Sequence, residues 1–371
     1  MRRAEERAWQ VVRQAFEERT PQPRRTRATN RLVLAAVTLV AVVAAAVASP
    51  PGRAVFQKVR EVVGVQQAEP ALFSLPSKGS NLLVVSADHG GVWLVTANGF
   101  KRRLGSYTDA QWSPHGLYVV ATTPHQLVAL DVEKGVRWTL PRRASWPRWE
   151  GTRVDTRIAY MTPAGLRVVA GDGTADRLLD RRAGGVPPAW DPGRLHTLAY
   201  FSRGAIVLRN VDTKRIVWRT PIAVTPRDLT WSTDGRYLVV TSTRLVIVLD
   251  ARGRVHRTVT TLGDGFVEGA FQPRTHLLAL SMRTPRGSEI RTVDVDRPGR
   301  ARLLFAGPGT FGDIAWSPDA RWLLLAWPTA DQWLFLHGSR VHAVANIREQ
   351  FPRHDRRGPV LHLDGRWCCA G

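Results

Sequence analysis

The stretch Trp231-Ser-Thr-Asp-Gly235, followed at once by the apolar run Tyr237 to Val240, is one copy of a motif that recurs along the chain. The copies begin at Trp112, Trp149, Trp190, Trp231, Phe271 and Trp316. Successive copies are 37, 41, 41, 40 and 45 residues apart, a mean near 41. Most are followed by two short β-rich runs, a turn and a weaker fourth run. Four strands per roughly 41 residues is the period of a β-propeller blade.

Fragments of the motif occur at both ends of the repeated region. A worn copy begins at Leu72, and Leu363-Asp-Gly-Arg-Trp367 matches Pro318-Asp-Ala-Arg-Trp322 at an offset of 45 residues. A carboxy-terminal half-blade can pair with the incomplete first blade and so remove two exposed sheet edges. The fold class is therefore predicted as all-β, a propeller over residues 72–371 with seven blades. Six or eight blades are the alternatives, because the copies at Trp149 and Phe271 match poorly.

The motif resembles the TolB-type, WD-repeat-like propeller unit, and its best copies are Trp316-Ser-Pro-Asp-Ala320 and Trp231-Ser-Thr-Asp-Gly235. Two units are also similar to the quinoprotein-type repeat, an Asp-led turn followed by a strand that ends in Trp138 or Trp218. The resemblance covers residues 72–371 and implies a propeller. It implies no single function, because such folds serve enzymes, scaffolds and binding modules alike. The chain lacks the histidine and Trp-Asp signatures of true WD repeats.

The conspicuous aromatic and polar residues are predicted to be structural. Trp112, Trp190, Trp231 and Trp316 are expected to begin inner strands and to fill the wedges between blades. The histidines are scattered singly, and no zinc pattern includes them. No nucleophile, acid-base pair or metal set is visible, so no catalytic residue, metal site or cofactor is predicted, and the chain is interpreted as a non-enzyme.

Two further groups of residues are candidates for a site. Arg142 to Trp149 is basic and aromatic in a predicted connection between blades, which makes Trp146 and Arg148 candidate ligand contacts. Cys368 and Cys369 are adjacent in the predicted closing strand. Two separate thiols are the default for neighbours in a strand, with a vicinal or an intermolecular disulfide as the alternatives.

An apolar run of eighteen residues precedes the propeller. Residues 32–49 carry no charge, and as a helix they would be about 27 Å long, close to the thickness of a bilayer core. Arginines precede the run and Pro-Pro follows it, so the positive-inside rule predicts a single-pass anchor in the cytoplasmic membrane. Residues 1–31 would be a basic cytoplasmic tail with a short amphipathic helix, residues 50–71 an extracytoplasmic stalk, and the propeller would lie outside. A cleaved signal peptide ending near Ala48 is the alternative.

The net charge of +22, from 53 basic and 31 acidic side chains, first suggests a nucleic-acid partner. The predicted topology keeps most of that charge outside the cell, so no nucleic acid is expected, and the predicted partner is a protein or an anionic envelope polymer. The first hypothesis is therefore a membrane-anchored, non-catalytic binding or sensing module. The alternatives are a transmembrane regulator whose tail binds a transcription factor, and a propeller lyase or hydrolase.

Overall fold

The computed structural model of the protein describes residues 74–86, 91–114, 116–152, 154–260, 265–297, 299–351, 361–362 and 367–368. The predicted tail, membrane segment and stalk, residues 1–71, lie outside this part of the chain. No helix within the described part is long and apolar enough to span a membrane.

The chain folds into seven antiparallel sheets that follow one another in sequence, which confirms the propeller and its seven blades. Blade 1 contains β1 (Asn81–Ser86), β2 (Gly91–Thr96) and β3 (Lys101–Gly105), and blade 2 contains β4 (Asp109–Trp112), β5 (Tyr118–Thr122), β6 (Leu127–Asp131) and β7 (Gly135–Leu140). Blade 3 contains β8 (Ser145–Trp149), β9 (Arg157–Thr162), β10 (Gly165–Ala170) and β11 (Arg177–Asp180). Blade 4 contains β12 (Ala189–Trp190), β13 (Thr197–Ser202), β14 (Ala205–Asn210) and β15 (Ile216–Pro221).

The remaining blades have the same strand order, with each strand paired to the next along the chain. Blade 5 contains β16 (Asp228–Trp231), β17 (Tyr237–Thr241), β18 (Leu245–Asp250) and β19 (Val255–Thr260), and blade 6 contains β20 (Gly265–Phe271), β21 (Leu277–Thr284), β22 (Gly287–Asp294) and β23 (Arg302–Gly307). Blade 7 contains β24 (Ile314–Trp316), β25 (Leu323–Trp327), β26 (Gln332–His337) and β27 (Arg340–Ala345). A 3-10 turn spans Pro328–Ala330, and a short helix, α1, spans Ile347–Gln350.

The carboxy terminus closes the ring. Two short strands, β28 (Leu361–His362) and β29 (Trp367–Cys368), both pair with β1 and supply the first strand of blade 1. The predicted closure is confirmed, but the predicted offset is wrong. Trp367 pairs with Leu82 just as Trp316 pairs with Leu323, so Trp367 corresponds to Trp316 and not to Trp322.

In blades 2 to 7 the motif aromatics end the first strand and do not begin it, which corrects the prediction. Trp112, Trp190 and Trp231, for example, are the last residues of β4, β12 and β16. The polar residues that follow them form the turn to the second strand. The prediction that residues 142–149 form a connection is also wrong in part, because Ser145–Trp149 is itself the first strand of blade 3.

Apolar side chains pack between blades. The second and third strands are nearly continuous apolar runs because both of their faces are covered, and β17 is buried along its whole length. The fourth strands, such as β15 and β19, are largely exposed. Buried clusters join blade 1 to blade 2, each pair of neighbours up to blades 5 and 6, and blade 7 to blade 1. Each fully buried Leu or Val in them contributes about 1.5–3 kcal/mol relative to an exposed position.

Candidate functional site

The two residues predicted as ligand contacts lie on β8, the first strand of blade 3. Trp146 has a left-handed backbone with φ of 50°, beside an irregularity in the pairing of β8 with β9. Its ring packs, partly buried, against the cluster that contains Leu166 and Trp190. The Arg148 carbonyl accepts a hydrogen bond from the Trp190 indole at 2.8 Å. These contacts are structural, and ligand contact by Trp146 or Arg148 stays a prediction.

The indoles of the motif tryptophans connect neighbouring blades. The Nε1 of Trp190 donates to Arg148 in blade 3, that of Trp231 to Ala189 in blade 4 at 3.2 Å, and that of Trp316 to Ala270 in blade 6 at 3.2 Å. Each acceptor carbonyl belongs to the residue just before the motif aromatic of the preceding blade. A tryptophan at this position therefore fills space between blades and satisfies a backbone acceptor there.

A second pair of tryptophans connects blades at the outer strands. Trp138 on β7 donates from Nε1 to the Gly171 carbonyl at 3.1 Å, and Trp218 on β15 donates to the Ala251 carbonyl at 3.2 Å. Both acceptors lie in the turn between the third and fourth strands of the next blade. These are the two tryptophans that carry the resemblance to the quinoprotein-type repeat, and their contacts in this chain are between blades.

His276 lies between two carboxylates at the boundary of blades 5 and 6. Its Nε2 is 2.8 Å from Asp234 Oδ2, and its Nδ1 is 2.5 Å from Asp296 Oδ2. Tyr237 donates its hydroxyl to Asp296 Oδ1 at 2.7 Å, and Ser232 donates to Asp234 Oδ1 at 2.7 Å. Both ring nitrogens of His276 face acceptors, an arrangement that suits the doubly protonated imidazolium.

The charges of this cluster shift the pKa values of its members. Burial lowers the pKa of His276, but the hydrogen bonds and charges of Asp296 and Asp234 outweigh it and raise that pKa above its ordinary value. Burial raises the pKa of Asp234, but hydrogen bonds from Ser232 and His276 lower it to about 2. Hydrogen bonds from His276 and Tyr237 lower the pKa of Asp296. The cluster therefore favours a cation between two anions.

His196 occupies the corresponding place between blades 3 and 4. Its Nδ1 is 3.0 Å from Glu150 Oε2, and its Nε2 is 3.6 Å from Asp155 Oδ2 and 3.7 Å from Asp212 Oδ2. Arg157 pairs with Asp212 at 3.0 Å. In the described residues no set of His, Cys, Asp and Glu side chains is arranged to hold a metal ion.

Sequence reasoning missed both histidine clusters. It treated each histidine singly, whereas the partners of His196 and His276 come from residues 16 to 46 positions away in sequence. The sequence did contain a signal for these clusters. Each histidine lies five or six residues after a motif aromatic, and an Asp follows the third strand of the same blade.

The turns segregate charge between the two faces of the ring. One face carries the turns between second and third strands and the connections between blades, and we call it the arginine face. Its turns and connections hold eight exposed arginines: Arg142, Arg143, Arg181, Arg182, Arg203, Arg227, Arg244 and Arg286. Of these only Arg142 makes an ion pair among the described residues, with Asp176 at 3.3 Å.

Acidic residues are absent from a large part of this face. The segments 123–126, 141–144, 163–164, 181–188, 203–204, 222–227 and 242–244 contain neither Asp nor Glu. The unpaired guanidinium groups of blades 2 to 5 therefore create a positive potential over the arginine face. Guanidinium groups bind carboxylate and phosphate oxygens through paired hydrogen bonds.

A cavity of about 380 Å³ opens at the arginine face between blades 2 and 3. It is lined by Thr108, Thr123, Pro124, His125, Arg143 and Ala144. The Thr123 hydroxyl accepts hydrogen bonds from the backbone N–H groups of His125 and Gln126 at 3.2 and 3.1 Å, which fixes the turn. The cavity is within the size range of small-ligand sites, and Arg143 gives it a positive wall.

The opposite face carries the turns from first to second strands and from third to fourth strands. We call it the entry face, because Leu75, near the start of the described chain, donates its backbone N–H there to the Ala97 carbonyl. The large hydrophobic residues that the described chain exposes all lie in or beside the turns of the entry face. We call this set of residues the apolar turns: Phe100, Leu117, Val136, Val154, Leu195, Ile216, Val217 and Val255. Val154 and Leu195 are the most exposed, at 77% and 65%.

Cys368 forms a disulfide bond. Its side chain packs against the cluster that joins blades 1 and 2. Cys369 lies outside the described residues.

The chain was compared with known proteins at three levels. No family model matches it, and no curated protein sequence matches it. Solved structures do match. A candidate 6-phosphogluconolactonase from Bacteroides uniformis has a TM-score of 0.55 at 16% identity, covering 72% of this chain and 96% of that one.

Two other solved structures are similar. The Cps50 (Swd1) propeller domain of Myceliophteria thermophila has a TM-score of 0.51 at 12% identity, covering 64% of this chain and 84% of that one. Hydrazine synthase of Kuenenia stuttgartiensis has a TM-score of 0.51 at 14% identity, covering 62% and 76%. The chain is a seven-bladed β-propeller. At these identities the likeness shows the fold alone, and neighbours named as enzymes stand beside a neighbour named only as a propeller domain.

Proposed function

We propose that this protein is a membrane-anchored, extracytoplasmic binding module without catalysis of its own, and that its arginine face holds an anionic envelope polymer. The observation that carries the proposal is the set of exposed arginines on one face of the ring that form no ion pair with any described residue. A protein that used those arginines only for stability would be expected to pair them with carboxylates, as it does for Arg157 and Arg167 elsewhere.

The distribution of arginines fits a long ligand better than a small one. They belong to blades 2 to 6, so the positive surface extends along an arc of the ring. A polymer with repeated phosphate or carboxylate groups can meet several guanidinium groups at once, and its binding gains from releasing the counterions along its backbone. The cavity beside Arg143 would then take one unit of the polymer.

The anchoring part of the proposal rests on residues 32–49, whose length and flanking arginines are those of a single-pass helix. In this proposal the amino terminus lies in the cytoplasm and the propeller lies outside. Resistance of the full chain to alkaline extraction from membranes tests the anchor, and protease accessibility of the propeller in intact spheroplasts tests its side.

The binding test uses the full chain in detergent with polyphosphate and polygalacturonate as probes. Replacing Arg203, Arg227 and Arg244 together by Gln is expected to weaken binding about tenfold, on the order of 1.4 kcal/mol in total. The matched control replaces three exposed cations of the entry face, Arg215, Arg252 and Arg274, by Gln and so removes the same charge. Equal losses in both variants would mean that net charge alone attracts the polymer, and the arginine face would have no special role.

A further inference from the structure

We infer that the apolar turns of the entry face rest on the anionic surface of the membrane, so that the arginine face points away from the lipid. The inference goes beyond the proposed function and rests on its anchoring part. It assigns a lipid-contacting role to apolar side chains that the described part of the protein leaves exposed.

Exposed aliphatic residues are common singly on protein surfaces, but here they are confined to one face. Leu117, Val154 and Leu195 stand in the turns between first and second strands of three successive blades, and each is more than half exposed. Ile216 and Val255 stand at the start of fourth strands on the same face. Aliphatic turns aligned at one level are suited to insertion between lipid headgroups.

Cations flank these apolar side chains. Lys134 and Arg137 lie on either side of Val136, Lys214 and Arg215 precede Ile216, and Arg252 lies near Val255. These five cations are exposed and form no ion pair in the described part of the chain. Basic side chains near a lipid surface that carries negative charge are attracted to it.

Asp131 and Asp250, in the same turns, already accept hydrogen bonds within the protein. Asp131 accepts hydrogen bonds from the backbone N–H groups of Glu133 and Lys134 at 2.9 and 3.0 Å. Asp250 accepts from the backbone of Arg252 and Arg254 and from the Arg254 side chain. These carboxylates cap turns, and Asp155 and Asp212 pair with Arg157. Glu133 is exposed beside Val136 without an ion pair in the described structure, but the five unpaired cations outnumber it, so the net charge beside the apolar turns is positive.

The path of the chain points to lipid as the occupant. The described chain begins at Ser74, and Leu75 donates its N–H to Ala97 on the entry face at 2.9 Å. The predicted membrane segment ends at Ser49, so the chain that connects it to this face is only about 25 residues long, which is no more than about 85 Å when fully extended. The tether therefore keeps the entry face at a high local concentration of lipid headgroups.

The test measures hydrogen exchange in the full chain, reconstituted as one copy per nanodisc. Discs of phosphatidylcholine with phosphatidylglycerol are compared with discs of phosphatidylcholine alone. In the anionic discs we expect amides of the apolar turns to exchange about threefold more slowly or more, while the turns at Arg203 and Arg244 do not change. The variant Val154→Asp/Leu195→Asp should lose this protection, because it brings two carboxylates to the lipid.

The matched control is Ala223→Asp/Thr243→Asp, which adds the same charge to exposed positions on the arginine face and should keep the protection. All four positions are exposed, so circular dichroism should show the same fold in each variant. A chain that remains in the discs but has equal exchange at the apolar turns in wild type and Val154→Asp/Leu195→Asp overturns the inference and leaves the anchor intact. A chain that does not enter discs at all overturns the anchor, and the inference with it. Protection that requires two copies per disc would assign the apolar turns to a second copy and not to lipid.

Discussion

At the scale of single residues, the indole N–H groups of the motif tryptophans join each blade to the one before it. Trp231→Phe keeps most of the buried ring but leaves the Ala189 carbonyl without the hydrogen bond that it accepts at 3.2 Å. A hydrogen bond within the fold contributes about 0.5–1.5 kcal/mol, so we expect the free energy of unfolding to fall by about 1 kcal/mol. Urea denaturation followed by circular dichroism measures this change.

Trp322→Phe is the control for that substitution. Trp322 lies just before β25, is only partly buried, and packs against His337 with ring centroids 5.0 Å apart and a tilt of 56° between the rings. A phenylalanine can keep this ring contact, so the cost should be less than half that of Trp231→Phe. If the two variants lose equal stability, the contribution of Trp231 is ring burial and the hydrogen bond adds nothing.

The His276 cluster predicts a pH dependence whose sign follows from the pKa shifts. The pKa of His276 is raised in the folded state, so its contribution is complete below the unfolded value of about 6.5 and is lost as pH rises through the folded value. We expect His276→Gln to lower the free energy of unfolding by about 1 kcal/mol at about pH 5.5 and by less at about pH 9. Urea denaturation at the two pH values checks the difference.

Asp234 gives the acid limit of the same cluster. Its pKa is lowered to about 2, so its contribution to stability is present above its unfolded pKa and is lost as pH falls toward 2.

His125→Gln is the control for His276→Gln, because His125 lies in a turn of the arginine face with no carboxylate hydrogen-bonded to it in the described structure. A pH-independent cost of His276→Gln would show that the ring acts as a neutral packing group.

At the scale of elements, the outer tryptophans require a glycine in the turn of the next blade. Gly253 has φ of +78°, and a Cβ at this position would be 2.6 Å from the Trp218 ring. Gly204 has a similar φ of +74°, but a Cβ there would meet nothing within 4 Å. We expect Gly204→Ala to cost about 1 kcal/mol from its backbone alone and Gly253→Ala about 2–4 kcal/mol, because a clash is added.

Thermal unfolding of the two alanine variants checks this prediction. The pair isolates the contact with Trp218, since the backbone conformation is matched. Equal costs would indicate that Trp218 can move away from the turn without loss, and that the outer contact between blades 4 and 5 contributes little.

The strands themselves follow closely from the sequence, because a repeat of about 41 residues combines apolar runs with fixed turn residues. The weaker fourth run of the repeat, for example, forms β7 in blade 2 and β15 in blade 4. The sequence did not show whether the motif begins or ends a strand. Trp-Ser-Pro-Asp-Ala reads equally well as the start of a strand or its end, and only the pairing of Trp316 with Leu323 decides between them.

Pairing also decides the register of the closing strand. Residues 363–367 match two places in the repeat almost equally well, because short Asp-containing stretches that end in Trp occur at residues 313–316 and 319–322. In the structure Trp367 corresponds to Trp316, because its indole N–H donates a hydrogen bond to the Ser80 hydroxyl at 2.8 Å and it pairs with Leu82. Local similarity cannot distinguish such positions when the partner strand is nearly 300 residues away.

At the scale of the whole molecule, the sequence predicts the excess of charge but not its arrangement. The formal charge of +22 is a sum over the chain. The division into an arginine face and an entry face depends on which turns share a side of the ring, and this becomes visible only when the strands are assigned to blades. The candidate residues Trp146 and Arg148 were chosen from local composition, whereas residues such as Arg203 and Arg244 are isolated in sequence and come onto one face through folding.

The arginine face should reduce stability if it exists for binding. Like charges without partners repel one another, and salt screens this repulsion over about 10 Å at 0.1 M. Replacing Arg203, Arg227 and Arg244 by Gln is therefore expected to raise the melting temperature at low ionic strength and to change it little at high ionic strength. The same variant should bind polyphosphate more weakly. Arg167→Gln should lower the melting temperature at any salt concentration, because Arg167 donates two hydrogen bonds to Asp176, at 2.7 and 3.0 Å.

This opposition between stability and binding separates the two explanations of the arginines. Groups selected for folding lose stability when they are removed, whereas groups selected for a ligand lose binding and gain stability. Melting temperatures at two salt concentrations, measured with and without polyphosphate, give both quantities in one experiment. A triple variant that loses stability together with binding would assign the arginines to the fold. A triple variant that gains stability and loses binding would assign them to the anionic partner, because removing unpaired guanidinium groups relieves their mutual repulsion and also removes the groups that bind the anion.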